Sequence, residues 1–216
     1  MKKIAYSQFF FILLVFFLSN CRSNSEKSAE KRGSPKKDAA SYIKQENIPN
    51  PYEPVDISPM DMSYFPVDYP KLKMTHSINT PPVIRLIYSR PHLQGRRLFI
   101  DLLKYGEPWR LGANEATEIE FYKDVMIQNK KISRGRYVLY CIPEEHRWTI
   151  ILNTNIDTWG LKIDSTKDFR HFDIPVTRNN PKLEYLTMVF EKTGNGANLI
   201  MGWSDILGRL PIEFTP

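Results

Sequence analysis

From residue 83 onward, apolar and polar side chains alternate with period two, the spacing that puts every second residue on one face of a β-strand. Val83-Ile84-Arg85-Leu86-Ile87-Tyr88 reads as a strand. Thr117, Ile119 and Phe121 alternate with Glu118, Glu120 and Tyr122. Val125 and Ile127 run into Gln128-Asn129-Lys130-Lys131, a turn, and the pattern resumes at Ile132. Tyr137, Leu139 and Cys141 share one face, and Trp148, Ile150 and Leu152 another. Leu186, Met188 and Phe190 repeat the spacing, as do Leu199, Met201 and Trp203. Gly135, Pro143, Gly160, Gly194 and Gly196 fall between these runs, where turns are expected. Many short strands joined by turns predict an all-β domain over 83–216, an antiparallel β-sandwich of jelly-roll type. At most one or two short helices are expected. One is placed at Leu98 to Lys104, where Phe99, Leu102 and Leu103 cluster at helical spacing.

The chain ahead of this domain follows other patterns. Lys2 and Lys3 precede an unbroken apolar run from Phe9 to Leu18, and Leu18-Ser19-Asn20-Cys21 then leads into a polar stretch. A run of about ten residues is half of what a bilayer-spanning helix needs. The layout is that of a cleaved bacterial lipoprotein signal over 1–20, with Cys21 as the lipid-bearing, palmitate-type attachment point. Residues 21–46 are rich in Ser, Lys and Glu, with no large apolar residue before Tyr42, and are expected to be a disordered tether. Residues 47–82 hold Pro49, Pro51, Pro54, Pro59, Pro66, Pro70, Pro81 and Pro82. That density argues for an extended, helix-free linker, its later aromatics lying against the domain.

The formal net charge of +6 changes the picture little. Much of the basic excess sits in the signal and in the tether, beside the expected membrane, so an anionic lipid surface explains it better than nucleic acid. The expected partners are the membrane through Cys21 and a small anionic ligand or a glycan, with no nucleic acid. Beyond Cys21 there is one cysteine, Cys141, mid-strand on an apolar face and read as core. His76, His92, His146 and His171 show no metal-ligand spacing, and no metal or cofactor is expected. The chain has neither a nucleophile elbow nor a phosphate-binding glycine loop.

Candidate chemistry concentrates between Tyr88 and Thr117. Arg90, Trp109, Arg110, Asn114 and Glu115 lie close together between two predicted strands, with Gly106 and Gly112 allowing turns. Arginines can hold an anion, a Trp can offer a ring face, and Asn and Glu can meet hydroxyls. The same residues also admit a structural reading: Trp109 as a core plug, Arg110 paired with Glu115, Asn114 bracing its own loop. No catalytic residue stands out.

Ser89-Arg90-Pro91, Gly95-Arg96, Tyr105-Gly106, Trp109-Arg110 and Gly112-Ala113-Asn114-Glu115-Ala116-Thr117 together resemble the bacterial domain-of-unknown-function family 2911. The likeness continues through Gly135-Arg136-Tyr137, Ile142-Pro143, Trp148 to Asn153 and Trp159-Gly160. It implies an exported or lipid-anchored, β-rich envelope protein of Gram-negative bacteria, with no activity to carry over. Three readings follow: a lipid-anchored domain binding a small anion, a glycan or an envelope partner; a hydrolase or isomerase with Glu115 as acid or base and Arg110 orienting an anion; or a scaffold whose motif is purely structural.

Overall fold

A computed structural model describes residues 58–178 and 180–214. The signal 1–20, the lipid site Cys21, the tether 21–46 and the first part of the proline-rich segment lie outside the described residues.

The described chain is all-β, as the alternation predicts. Its strands are β1 (Met60–Phe65), β2 (Ile84–Ser89), β3 (Glu118–Phe121), β4 (Val125–Ile127), β5 (Lys130–Ile132) and β6 (Gly135–Pro143). They continue with β7 (Arg147–Asn153), β8 (Asp168–Thr177), β9 (Leu183–Lys192), β10 (Gly196–Ser204) and β11 (Ile206–Phe214). One short helix, α1 (Tyr69–Met74), follows β1. Every pairing is antiparallel, in the order β1-β2-β3-β6-β7-β8-β11-β10-β9, and the β4–β5 hairpin hangs on β11.

The expected two-sheet jelly-roll sandwich is refined to a single sheet that curls on itself. The corner is β8. Its residues up to Pro175 pair with β7, while Val176 and Thr177 pair with β11. Gly208 of β11 makes the bend possible, because a Cβ there would stand 3.0 Å from Ile174 and 3.4 Å from Trp148. The two ends of the sheet then approach each other. Ser63 of β1 donates to the Met188 carbonyl of β9 at 2.5 Å, and the Met188 amide donates to the Tyr88 hydroxyl at 2.9 Å. Just past β2, Leu186 N donates to Pro91 O at 2.9 Å and Leu93 N to Glu184 O at 3.0 Å.

The alternating positions supply the core. Ile84, Leu86, Ile119, Phe121, Leu139, Trp148 and Ile150 from one half meet Leu186, Met188, Leu199, Met201 and Leu210 from the other, all buried. Each such side chain contributes about 1.5–3 kcal/mol on leaving water. Cys141 belongs to this core, and burial pushes its thiol well above the ordinary range. One departure from alternation matters for function. Val138, Tyr140 and Ile151 face away from the core and are nonetheless buried. Something covers the outer face of β6 and β7, and it is the loop that follows β7.

The proline-rich segment is more than a linker in its described part. β1 is extended, but it pairs with β2 along its whole length, from Met60↔Ser89 to Phe65↔Ile84. The helix-free expectation also fails, since α1 carries Pro70 in its first turn. There a missing N–H costs nothing, because the first amides of a helix have no intrahelical acceptor. The helix expected at Leu98 to Lys104 shrinks to one wide turn over Leu98–Leu102, closed by Leu103 N to Leu98 O at 2.8 Å.

Candidate functional site

The segment 109–117 is built as a folded-over loop between the core and the covering loop. Leu111 and Asn114 both take positive φ, 52° and 58°, which reverses the chain twice. Gly112 is pressed on the end of β2, where a Cβ would sit 3.2 Å from the Ser89 carbonyl. The Thr117 hydroxyl closes the turn on Leu111 O at 2.8 Å.

The five residues singled out from sequence do not share one cavity. Arg90 straps the two ends of the sheet together. Its Nε donates to Leu186 O at 3.1 Å, Nη1 to Asp61 Oδ2 at 3.1 Å and Nη2 to Thr187 Oγ1 at 3.0 Å. Trp109 is the core plug of the structural reading. Only 7% exposed, it stacks on Trp203 at 5.7 Å and meets Trp148 edge-on at 6.0 Å. Asn114 reaches back to Ser58 O at 3.4 Å and braces the entry to β1. Arg110 and Glu115 lie on the two sides of the covering loop 154–164. Thr158 of that loop borders both the crevice of Glu115 and that of Arg110.

The covering loop is pinned at several points. Asp157 N donates to Glu118 Oε1 at 3.0 Å, Ala116 N to Thr158 O at 3.2 Å, and Asn155 N to Asn153 Oδ1 at 2.7 Å. Gly160, at φ 77°, lies against the loop below it: a Cβ would stand 3.0 Å from Ala116 Cβ and 3.3 Å from Arg110 Cβ. Gly112-Ala113-Asn114-Glu115-Ala116-Thr117 and Trp159-Gly160, far apart in sequence, therefore pack on each other. Between them and the outer sheet face opens a crevice of about 410 Å³. Its apolar side is Trp159, 52% exposed, with Met60 and Ile87. Its polar side is Glu115, Glu118, Asp157 and Arg136. Arg136 Nη2 donates to Glu118 at 2.6 Å and to Asp157 at 2.7 Å, and these carboxylates hold the guanidinium above its ordinary value. Glu115 is exposed and meets no cation among the described residues.

The family described as Protein of unknown function (DUF2911) matches residues 70–212. The chain belongs to the DUF2911 family. No curated protein and no solved structure matches it. The DUF2911 match runs from α1 into β11, so it takes in every crevice residue except Met60 of β1.

Sequence reasoning found Glu115 and missed Trp159, Glu118, Arg136, Asp157, Met60 and Ile87 as site residues. One signal was present: Trp159-Gly160 stands outside every alternating run, where a large aromatic has no strand face to bury it. Ile87, Glu118 and Arg136 sit within strand patterns, Met60 in the proline-rich segment and Asp157 in the covering loop, and only tertiary contacts bring them together.

Arg110 of this DUF2911 chain has an unusual setting. It is half-buried, its Nε is sealed from solvent with no acceptor, and no carboxylate pairs with it among the described residues. Burial alone pushes its guanidinium below the ordinary value. The anticipated Arg110–Glu115 pair does not form. Arg110→Met keeps the stem that packs near Gly160 and removes a poorly solvated charge. Thermal denaturation should show the variant unchanged or more stable by up to about 1 kcal/mol. A loss of several kcal/mol would show instead that the charge has a partner.

Proposed function

We propose that this DUF2911 protein is a binding module of the bacterial cell envelope, held at a membrane by lipid on Cys21, whose crevice takes a glycan. The observation that carries the reading is that an exposed Trp159 and the carboxylate of Glu115, unpaired among the described residues, line one cavity of about 410 Å³. A ring face beside a carboxylate suits a sugar: apolar C–H groups lie on the indole and hydroxyls donate to the acid. Charge argues against the small anionic ligand. Three carboxylates line the crevice, and its single guanidinium is already engaged by two of them.

Hydrolysis is the weaker reading for a related reason. Cleaving a glycosidic bond ordinarily takes two available carboxyl groups. Here Glu118 is engaged through both oxygens, by Arg136 and by the Asp157 amide, and Asp157 by Arg136. Glu115 is left to act alone.

Of the four tryptophans only Trp159 is largely exposed, so a change in emission on titrating neutral oligosaccharides would report this crevice. By calorimetry, Trp159→Ala and Glu115→Gln should each weaken binding about tenfold, the loss of one stacking contact or one charge-assisted bond. Emission and heat that stay flat across the panel would remove the glycan reading. The membrane part has its own check: Cys21→Ala should leave the membrane fraction or accumulate as a precursor, and unaltered fractionation would overturn it.

A further inference from the structure

We infer that the ligand of this crevice is an amphiphile: its polar head sits beneath Trp159 and its apolar chain lies along the outer face of β1 and β2. The inference rests on the glycan reading above and adds a second half to the site. The register carries it. Met62 pairs with Ile87, Ile87 with Glu118, and Glu118 with Val138, so these four stand in one row across the outer face of the sheet. Neighbouring strands are about 4.8 Å apart, which puts Met62 roughly 10 Å from Glu118 along that row. Along it apolar Met62 and Ile87 give way to the carboxylate that Arg136 holds, and beyond that Val138 is buried.

A second hollow, of about 570 Å³, lies over the apolar end. Met60, Met62, Tyr64, Pro70 and Ile87 line it, and Met60 and Ile87 also line the crevice, so the two hollows adjoin across these side chains. Met60 and Met62 are 47% and 53% exposed. Exposed apolar side chains grouped in this way mark an interaction surface, and methionine adapts to chains of varied shape. Asp61 is the single charged residue of this hollow, and its Oδ2 is engaged by Arg90. A polar or peptidic partner would leave its own groups unsatisfied here, whereas an alkyl chain would not.

The test is calorimetric titration of the full chain with maltose, octyl maltoside and decyl maltoside, each below its micelle concentration. Each methylene leaving water raises affinity about fourfold, so decyl maltoside should bind at least roughly tenfold more tightly than octyl maltoside. Met62→Gln should flatten this dependence and leave maltose binding unchanged. Ile100→Gln, exposed elsewhere on the domain, should change neither. Equal affinities for the two maltosides, with maltose still bound, would overturn the tail site and leave the crevice standing. A chain-length dependence that survives Met62→Gln would put the chain elsewhere and overturn the inference. So would maltoside binding indifferent to Trp159→Ala, which would mean an apolar patch without a head site. A dimer of the wild type that Met62→Gln splits would show that a second copy covers this face. If neither maltose nor any maltoside binds, the crevice reading falls with it.

Discussion

Replacing Trp109 by alanine is expected to cost about 3–5 kcal/mol of folding stability, the range for deleting a large buried aromatic. For a chain of this size that is a fall of roughly 6–20 °C in melting temperature. The indole fills the space between Trp148 and Trp203, so its loss leaves a cavity in the middle of the core rather than at a rim. It also removes the bond from Trp109 Nε1 to Gly112 O at 3.3 Å, which ties the 109–117 loop to the core. The backbone of Trp109 pairs with Cys141 through two bonds of 2.7 and 2.8 Å, and these remain in the variant. Urea denaturation gives the number directly. A loss under about 1 kcal/mol would mean that the indole is not a packing element, and the ligand-site reading of Trp109 would return.

Gly160→Ala should cost about 2–5 kcal/mol and impair the crevice at the same time. Two penalties add. The residue sits at φ 77°, a region that costs an L-residue about 1–2 kcal/mol. The added methyl would also stand 3.0 Å from Ala116 Cβ and 3.2 Å from Ala116 Cα, contacts whose relief costs about 1–3 kcal/mol. Ala116 is buried and its amide is bonded to Thr158 O at 3.2 Å, so it cannot retreat without releasing the loop. The strain then falls on the loop that carries Trp159. The expected result is a lower melting temperature together with weaker oligosaccharide binding. Stability lost with binding intact would show that the loop shifts as a unit and that the Trp159 position does not depend on this contact.

The two variants also separate the roles merged in the sequence reading of 88–117. Trp109 and Glu115 are six residues apart, yet one is sealed in the core and the other stands in solvent. Periodicity cannot resolve this, because the segment is a loop and has no repeating face. Arg90 makes the same point. Its partners Leu186 and Thr187 are almost a hundred residues away, so nothing local distinguishes a strap from an anion clamp. Arg136 is the converse case. It reads as an ordinary charged strand position, and the register across β3 and β6 makes it the bridge between Glu118 and Asp157.

The sequence by itself determined the all-β architecture, the family, and most of the strands with their core faces, though not β1, β8 or β11. Side-chain alternation along a strand is a local consequence of the pleat, and the motifs are local too. The tertiary structure decided what depends on contacts between distant segments. It made one curled sheet rather than two, through the corner at β8 and Gly208. It recruited β1 from a proline-rich stretch, because pairing with β2 offsets the entropy of an otherwise open chain. It laid the loop 154–164 over the outer face of β6 and β7, and so brought Trp159 to Glu115. Loop closure over such separations is decided by which pairings bury the most surface and satisfy the most backbone groups, a property of the whole fold that no short window of sequence contains.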